Sequence, residues 1–335
     1  MDHSTASPVP AEHSGPISSP PPSEFRSGFI ALVGRPNVGK STLLNRLVGQ
    51  KVAITSPVAQ TTRRRLRGIL TTPNAQLIFV DTPGIHKPHH LLGERLVRSA
   101  REAIGEVDVV VLLVKGSELA GRGDAFIVEL LRHVQVPVHV ALNHWDKVPP
   151  SQAEEQLNSY KQLLGEQTEA GAPQSRWPLH TISALTGSGT VDLLTSLEKD
   201  LPMGPCLYPP DMVSDQSEQT LLAELIREQV LHHTREEVPH SVAVQIDRIV
   251  DDDRLATKGK SRIAVLATVL VERQSQKVIL IGRAGQMLRT IGSEARRQME
   301  TLLNAPVYLE LFVKVVPHWR RSPARLAELG YGGQD

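Results

Sequence analysis

The chain has 335 residues, 40% of them hydrophobic and 22% charged, which is enough for two domains with separate cores and is ordinary for a soluble globular protein. No run approaches the roughly 18 apolar residues of a membrane-spanning helix, and a lone Cys206 excludes an intrachain disulfide, so the reading is a cytoplasmic protein. The net charge of +1 conceals an asymmetry: residues 1–239 carry 22 Lys/Arg against 26 Asp/Glu, whereas residues 240–335 carry 15 against 10. A basic last third is what a polyanionic partner selects, although chance surface composition explains it equally well.

Residues 1–26 are crowded with Pro and Ser, including Pro20-Pro21-Pro22, and are expected to be disordered because they bury too little to offset ordering entropy. They lack the apolar centre of a secretory signal, and Arg26 is their only basic residue, which disfavours a transit peptide. From residue 27 to 200, short apolar runs alternate with helical stretches. Strands are expected at 29–33, 77–80, 109–114, 138–142 and 179–182, and helices at 42–48, 91–104, 125–133 and 151–164. This alternation implies an α/β domain, a mainly parallel sheet with helices on both faces, whose ligands sit at the carboxyl ends of the strands.

Gly34-Arg-Pro-Asn-Val-Gly-Lys-Ser41 follows the first strand and opens a helix, the context that gives G-x-x-x-x-G-K-[ST] its meaning as a P-loop. The backbone N–H groups of Gly34, Asn37, Val38, Gly39 and Thr42 are placed to surround phosphates, with the helix dipole behind them. Lys40 is expected to reach the β- and γ-phosphates as a catalytic cation, and the Ser41 hydroxyl to ligate Mg²⁺. Within 56–65, Gln60-Thr-Thr-Arg63 supplies a threonine to sense the γ-phosphate through Mg²⁺, and Thr62 is favoured over Thr61. Asp81-Thr-Pro-Gly84 ends the next strand, so that Asp81 meets Mg²⁺ through water and the Gly84 N–H meets the γ-phosphate.

Asn143-His-Trp-Asp146 ends the strand 138–142. Asp146 can accept from guanine N1–H and the 2-amino group, a donor pair that adenine lacks, while the Asn143 amide can bond the base and tie this loop to the P-loop. Ser183-Ala184-Leu185, after the next strand, can offer a backbone N–H to guanine O6. Together these strings read as a guanine-nucleotide site for GTP and GDP with Mg²⁺. The position after Gly84 holds Ile85, which cannot orient a water, so intrinsic hydrolysis is expected to be slow. His86, His89 and His90 read as a solvated loop rather than a metal cluster, and the Arg63, Arg64, Arg65, Arg67 run as a solvated face or a phosphate contact.

Residues 201–217, starting Leu-Pro-Met-Gly-Pro and containing Pro209-Pro210, read as a linker, and 218–335 as a small α+β domain. A helix is expected at 218–233, half-buried strands at 242–250, 263–271 and 307–315, and helical stretches at 286–291 and 293–303. Gly282-Arg283-Ala284-Gly285 is read as a turn after a strand at 277–281, followed by a helix bearing Arg289, Arg296 and Arg297. Such a turn lets an RNA backbone approach closely. Trp319 either stacks on nucleic acid or packs into the domain, with both readings open.

Residues 28–335 resemble the Era family of bacterial GTPases: G-R-P-N-V-G-K-S, Q-T-T-R, D-T-P-G, S-A-L, the linker and the C-terminal domain occur in the same order. The resemblance implies a Ras-like P-loop GTPase domain followed by a type II KH domain. It also implies binding near the 3′ end of small-subunit ribosomal RNA, a role in small-subunit assembly, and a potassium ion held partly by Asn37. A monomer is expected, and peripheral membrane contact is left open. The family pattern at the base site is Asn-Lys-x-Asp, in which the lysine stem covers the purine and its ammonium bonds the P-loop. His144 replaces that lysine here, which by itself predicts weakened affinity with guanine choice intact. The competing readings are an RNA chaperone that no longer switches, or a GTPase of transfer RNA modification or the large subunit.

Overall fold

The computed structural model describes residues 24–56, 66–82, 84–85, 104–166, 174–257 and 260–329. The expected disordered tail up to residue 23, Thr61, Thr62 and Arg63–Arg65, the helix at 91–104 apart from its last residue, and His86, His89 and His90 lie outside them; the end of that tail is corrected, since Phe25 is buried and Arg26 opens the first strand.

The first sheet has six strands in the order β2-β3-β1-β4-β5-β8. They are β1 (Arg26–Gly34), β2 (Leu66–Thr71), β3 (Ala75–Asp81), β4 (Val109–Lys115), β5 (Val138–Asn143) and β8 (Leu179–Thr181), with a two-residue ladder of β6 (Gly165–Glu166) and β7 (Gln174–Ser175) set apart. All neighbours in the large sheet are parallel except β2, which pairs antiparallel with β3. Sequence reasoning did not anticipate β2. Its side chains are mostly half-exposed, as expected of an edge strand with no continuous apolar run.

The central strands carry apolar side chains toward both faces, so each face needs its own helical cover. Ile30, Leu32, Leu77 and Phe79 meet Leu43, Leu44 and Leu47 of α1 (Lys40–Val48) and Leu193 and Leu197 of α4 (Thr190–Asp200). Ala31, Val33, Val110 and Leu112 meet Ile127 and Leu131 of α2 (Arg122–Leu131) and Tyr160 of α3 (Ala153–Leu164). All the parallel strands therefore point their carboxyl ends to one rim.

The Pro-rich segment after α4 does not hang free. Buried Gln76 holds it with three bonds, donating to the Tyr208 carbonyl at 2.9 Å and accepting from the Leu207 and Tyr208 N–H groups at 2.7 and 2.9 Å. Further along, Ile69 N–H donates to the Val213 carbonyl at 2.9 Å, extending the open edge of β2.

The second unit places α5 (Glu218–His233) and the long α8 (Gln286–Leu303) on a three-stranded sheet ordered β11-β10-β9. Its strands are β9 (Ala243–Thr257), β10 (Lys260–Val271) and β11 (Val307–Val315). β9 and β10 are antiparallel, and β10 and β11 are parallel. A short α6 (Val238–Ser241) joins α5 to β9. Two expectations are corrected here. The stretch expected as a strand at 277–281 is α7 (Gln274–Ile281), started by Gln276, whose Oε1 accepts from the Glu272 and Arg273 N–H groups at 3.0 Å each. The two helical stretches after residue 285 are one helix; Gly292 lies inside it, where an added Cβ would touch Leu311 at 3.4 Å.

Trp319 packs rather than stacks. Only 2% exposed, it lies with Ala243, Leu270 and Leu329 and donates its indole N–H to the Ser241 carbonyl at 2.9 Å.

Candidate guanine-nucleotide and RNA sites

A cavity of about 530 Å³ opens at the carboxyl rim of the large sheet. Asn37, Gly39, Lys40, Ser41, Thr42 and Gly84 line it, so most of the phosphate residues expected from sequence converge, while Gly34, Val38 and Asp81 are not among its lining. Gly39 has φ 97°, and a Cβ there would fall 2.3 Å from Asn143 Nδ2; glycine is what lets the base loop close on the P-loop. Lys40 is buried and donates to the Gly34 and Arg35 carbonyls at 3.2 and 3.1 Å, which curls the loop around its ammonium. Burial lowers its pKa to about 8, against the opposing pull of Asp81.

The Ser41 hydroxyl donates to Asp81 Oδ2 at 2.8 Å, so a hydroxyl from the first turn of α1 and a carboxylate from the end of β3 meet at one point. These are hard oxygen donors, and the pair fits Mg²⁺, which takes few protein ligands and keeps its waters. Ile85 sends its N–H to the Gly34 carbonyl at 3.0 Å and its side chain into the core beneath, away from any reacting phosphate.

Asn143 joins three motifs. Its Nδ2 donates to the Val38 carbonyl of the P-loop at 2.8 Å, and its Oδ1 accepts the Ala184 N–H at 2.8 Å. The expected tie to the P-loop is therefore present, and Ala184 is engaged with Asn143. The Ser183 N–H goes to the Ser188 carbonyl at 2.9 Å. Leu185 and Asp146 stand exposed beside this buried knot.

His144 adopts φ 62°, a left-handed conformation that turns its half-buried ring into the cavity wall. Burial, helped by Lys147 and Lys115 and opposed by Asp146 and Glu118, lowers its pKa and keeps the ring neutral at pH 7.

Sequence reasoning missed several residues. Lys115, Lys147 and His232 also line the cavity. Lys115 closes β4, at the rim where ligands of such sheets bind, and that position was the available signal. Arg46 of α1 donates from Nε to the Ala184 carbonyl at 3.3 Å and from Nη2 to the Leu185 carbonyl, buttressing the base loop from below. His232 belongs to the second unit, so no local pattern could place it here.

In that second unit Gly282 has φ 69°, and an added Cβ would lie 2.7 Å from Met287, so only glycine fits between α7 and α8. Arg283 and Ala284 project outward at the turn, and Arg289 is exposed one helical turn further on. Arg296 is partly occupied by an ion pair with Glu300 at 3.7 Å. Val278 and Ile279 of α7 stand 61% and 49% exposed beside the turn, an uncovered apolar strip next to a basic one.

A family model described as "50S ribosome-binding GTPase" matches residues 29–144, and one described as "KH domain" matches residues 237–320. GTPase Era of Nostoc sp. (strain PCC 7120 / SAG 25.82 / UTEX 2576) is 56% identical over 319 residues, spanning 95% of this chain and 94% of that protein. The chain belongs to the Era family of GTPases. GTPase Era of Synechocystis sp. (strain ATCC 27184 / PCC 6803 / Kazusa) is 54% identical over 310 residues, covering 92% of this chain and 94% of its own length. Among solved structures, Era in complex with MgGDPNP and nucleotides 1506–1542 of 16S ribosomal RNA is similar at TM-score 0.82 and 39% identity, over 92% of this chain and all of that one. A point variant of Aquifex aeolicus Era bound to GDP·AlF4⁻ is similar at TM-score 0.82 and 38% identity, over the same shares. As an Era-family member the chain is a GTP hydrolase with a P-loop GTPase domain and a C-terminal KH domain.

Among the described residues, no group of three or more His, Cys, Asp or Glu could hold a metal ion, and no helix is long and apolar enough to cross a membrane.

Proposed function

We propose that the cavity binds GTP or GDP with Mg²⁺, that GTP hydrolysis there is slow, and that the KH domain grips single-stranded RNA near the 3′ end of small-subunit ribosomal RNA to assist small-subunit assembly. The observation that carries this reading is the Asn143 side chain, which ties the P-loop, the Asn-x-x-Asp loop and the Ser-Ala-Leu loop to one another beside the cavity. Support for the RNA half comes from the Era complex with a 16S ribosomal RNA fragment and from the basic, apolar-flanked turn at 282–285. The two units divide at 201–217.

In this reading Lys40 and the P-loop N–H groups of Gly34, Asn37, Val38, Gly39 and Thr42 hold the phosphates. Ser41, Thr62 and, through water, Asp81 would hold Mg²⁺, which would supply charge neutralisation for the phosphates. Gly84 meets the γ-phosphate, and Asn37 is assigned to a potassium ion. Asp146 reads the guanine edge. With the Ser183 and Ala184 N–H groups engaged elsewhere, we assign guanine O6 to the Leu185 N–H. Ile85, pointed into the core, orients no water, which is the reason for slow turnover. The site of action is the cytoplasm.

Asp146→Asn exchanges an acceptor pair for a mixed donor and acceptor, which suits xanthine rather than guanine. The expected result is a loss of GDP affinity by about 100-fold and a gain for XDP, since an unpaired donor on the base costs about 1–3 kcal/mol per lost bond. Unchanged GDP preference in a competition titration would remove Asp146 from base reading.

On the RNA side, Gly285→Asp adds a carboxylate at a turn where a Cβ meets nothing within 4 Å, at a φ of 75° that strains most L side chains but that aspartate tolerates better than most. Affinity for a single-stranded oligonucleotide matching the 3′ end of small-subunit ribosomal RNA is expected to fall about tenfold or more by repulsion of the phosphates, with GDP affinity unchanged. Equal RNA binding by both proteins would take the Gly282–Gly285 turn out of the interface.

A further inference from the structure

We propose that Lys115 is the cation that the base site lacks at position 144. The inference rests on the guanine-nucleotide reading of the cavity and names a further residue that serves it. In the family pattern the missing lysine has two tasks: its stem covers the purine and its ammonium ties the base loop to the P-loop.

His144 is placed for the first task. Its ring lies against Gly39, with Nε2 3.7 Å from where a Cβ on that glycine would be. The second task is beyond it. His144 Nδ1 is buried and has no hydrogen-bond partner among the described residues, and a ring kept neutral by burial offers no charge.

Lys115 sits where that task can be done. It lies directly opposite Asn143 in the β4–β5 register and lines the same cavity. The Gly116 N–H after it donates to the Asn143 carbonyl at 2.7 Å, and the Tyr160 hydroxyl fixes the Lys115 carbonyl at 3.2 Å, so its backbone is pinned to the base loop. The ammonium pairs with Glu118 Oε1, and the other oxygen of that carboxylate accepts from Arg35 Nη2 at 3.5 Å. Arg35 is a P-loop residue, and its Nε lies 2.9 Å from buried Asp124 at the start of α2. The chain Lys115–Glu118–Arg35–Asp124 thus joins the base loop to the P-loop through a cation on β4 rather than through position 144. Lys147 also lines the cavity, but among the described residues no ion pair links it to the P-loop.

This geometry revises what His144 alone predicts: the base site keeps its cation, moved to the neighbouring strand. The test is a titration of fluorescent GDP with the full chain as wild type, K115A, K115R, H144K and H144K/K115A. K115A is expected to weaken GDP about tenfold, the loss of one charged hydrogen bond, whereas K115R, which keeps a cation at the end of β4, loses less. H144K/K115A is expected to recover affinity to within about twofold of wild type, because either lysine suffices. The proposal is overturned if K115A binds GDP like wild type, or if K115A costs the same factor in the H144K background as alone. A wild-type chain that fails to bind GDP at all would instead refute the nucleotide reading on which this rests.

Discussion

Lys40→Ala raises the GDP dissociation constant by at least about 100-fold and abolishes GTP turnover, the consequence of removing a cation that bonds two phosphates for about 3 kcal/mol. The same variant is expected to fold as well as the parent. Lys40 is buried, and burial holds its pKa down to about 8, so its charge is a cost to the fold that bound phosphates offset. Alanine removes that cost and also the donor that Gly34 and Arg35 share, two effects of opposite sign. Thermal unfolding without nucleotide should therefore move little, while GDP no longer raises the melting temperature. A large drop in melting temperature without nucleotide would assign Lys40 to the scaffold. Turnover that survives in the variant would favour a protein that binds RNA without switching.

Glu228→Ala should produce the largest loss of stability outside the hydrophobic cores, about 2–3 kcal/mol, with partial retention in Glu228→Gln. Glu228 is 1% exposed on α5, and its carboxylate reaches into the first unit. It pairs with Lys51, and its Oε1 accepts from the Thr55 N–H at 2.8 Å and the Thr55 hydroxyl at 3.1 Å. Around it, His232 Nε2–H donates to the Thr55 carbonyl at 3.0 Å, and Lys51 also donates to Gln298 of α8 at 3.1 Å. Alanine leaves the half-buried Thr55 donors without that acceptor and Lys51 without its buried counter-ion. Glutamine keeps one oxygen for Thr55 but gives up the charge opposite Lys51, so it should fall between the two. Since residues 51–55 lead toward Thr62, the variant is also expected to expose this segment to protease. Melting curves and limited proteolysis check both effects. An alanine variant as stable and as resistant as the parent would mean that α5 does not hold this segment.

What the sequence made legible, and what it did not, follows from how local each signal is. The P-loop, Asp81 and Asn143 were readable because each ends a buried apolar strand, and Ser183–Leu185 because it follows the partly buried β8; strand ends in a parallel sheet gather at one rim. α7 was misread as a strand for a physical reason. Val278-Ile-Leu-Ile281 is a short β-branched run, and its length alone does not separate a strand from a helix that buries one stripe. The structure buries Gln276 and Leu280 on that stripe and leaves Val278 and Ile279 outside. Gly292 looked like a break between two helices, yet its missing side chain only eases α8 toward Leu311 of β11. The contacts of Glu228 and His232 with Thr55 join residues more than 170 positions apart, so no periodicity or motif announces them. Lys115 was hidden differently: a lone lysine after Val-Val-Val-Leu-Leu-Val looks like a solvated strand end until its register with Asn143 is known.

Calorimetric titration of the purified chain with GDP, and separately with ADP, in the presence of Mg²⁺ tests the assignment of the rim cavity most directly. One GDP per chain at micromolar affinity, with no uptake of ADP, is the outcome that the Asn143 junction and the exposed Asp146 carboxylate require. Absence of GDP uptake at millimolar concentration, or equal uptake of ADP, would contradict it.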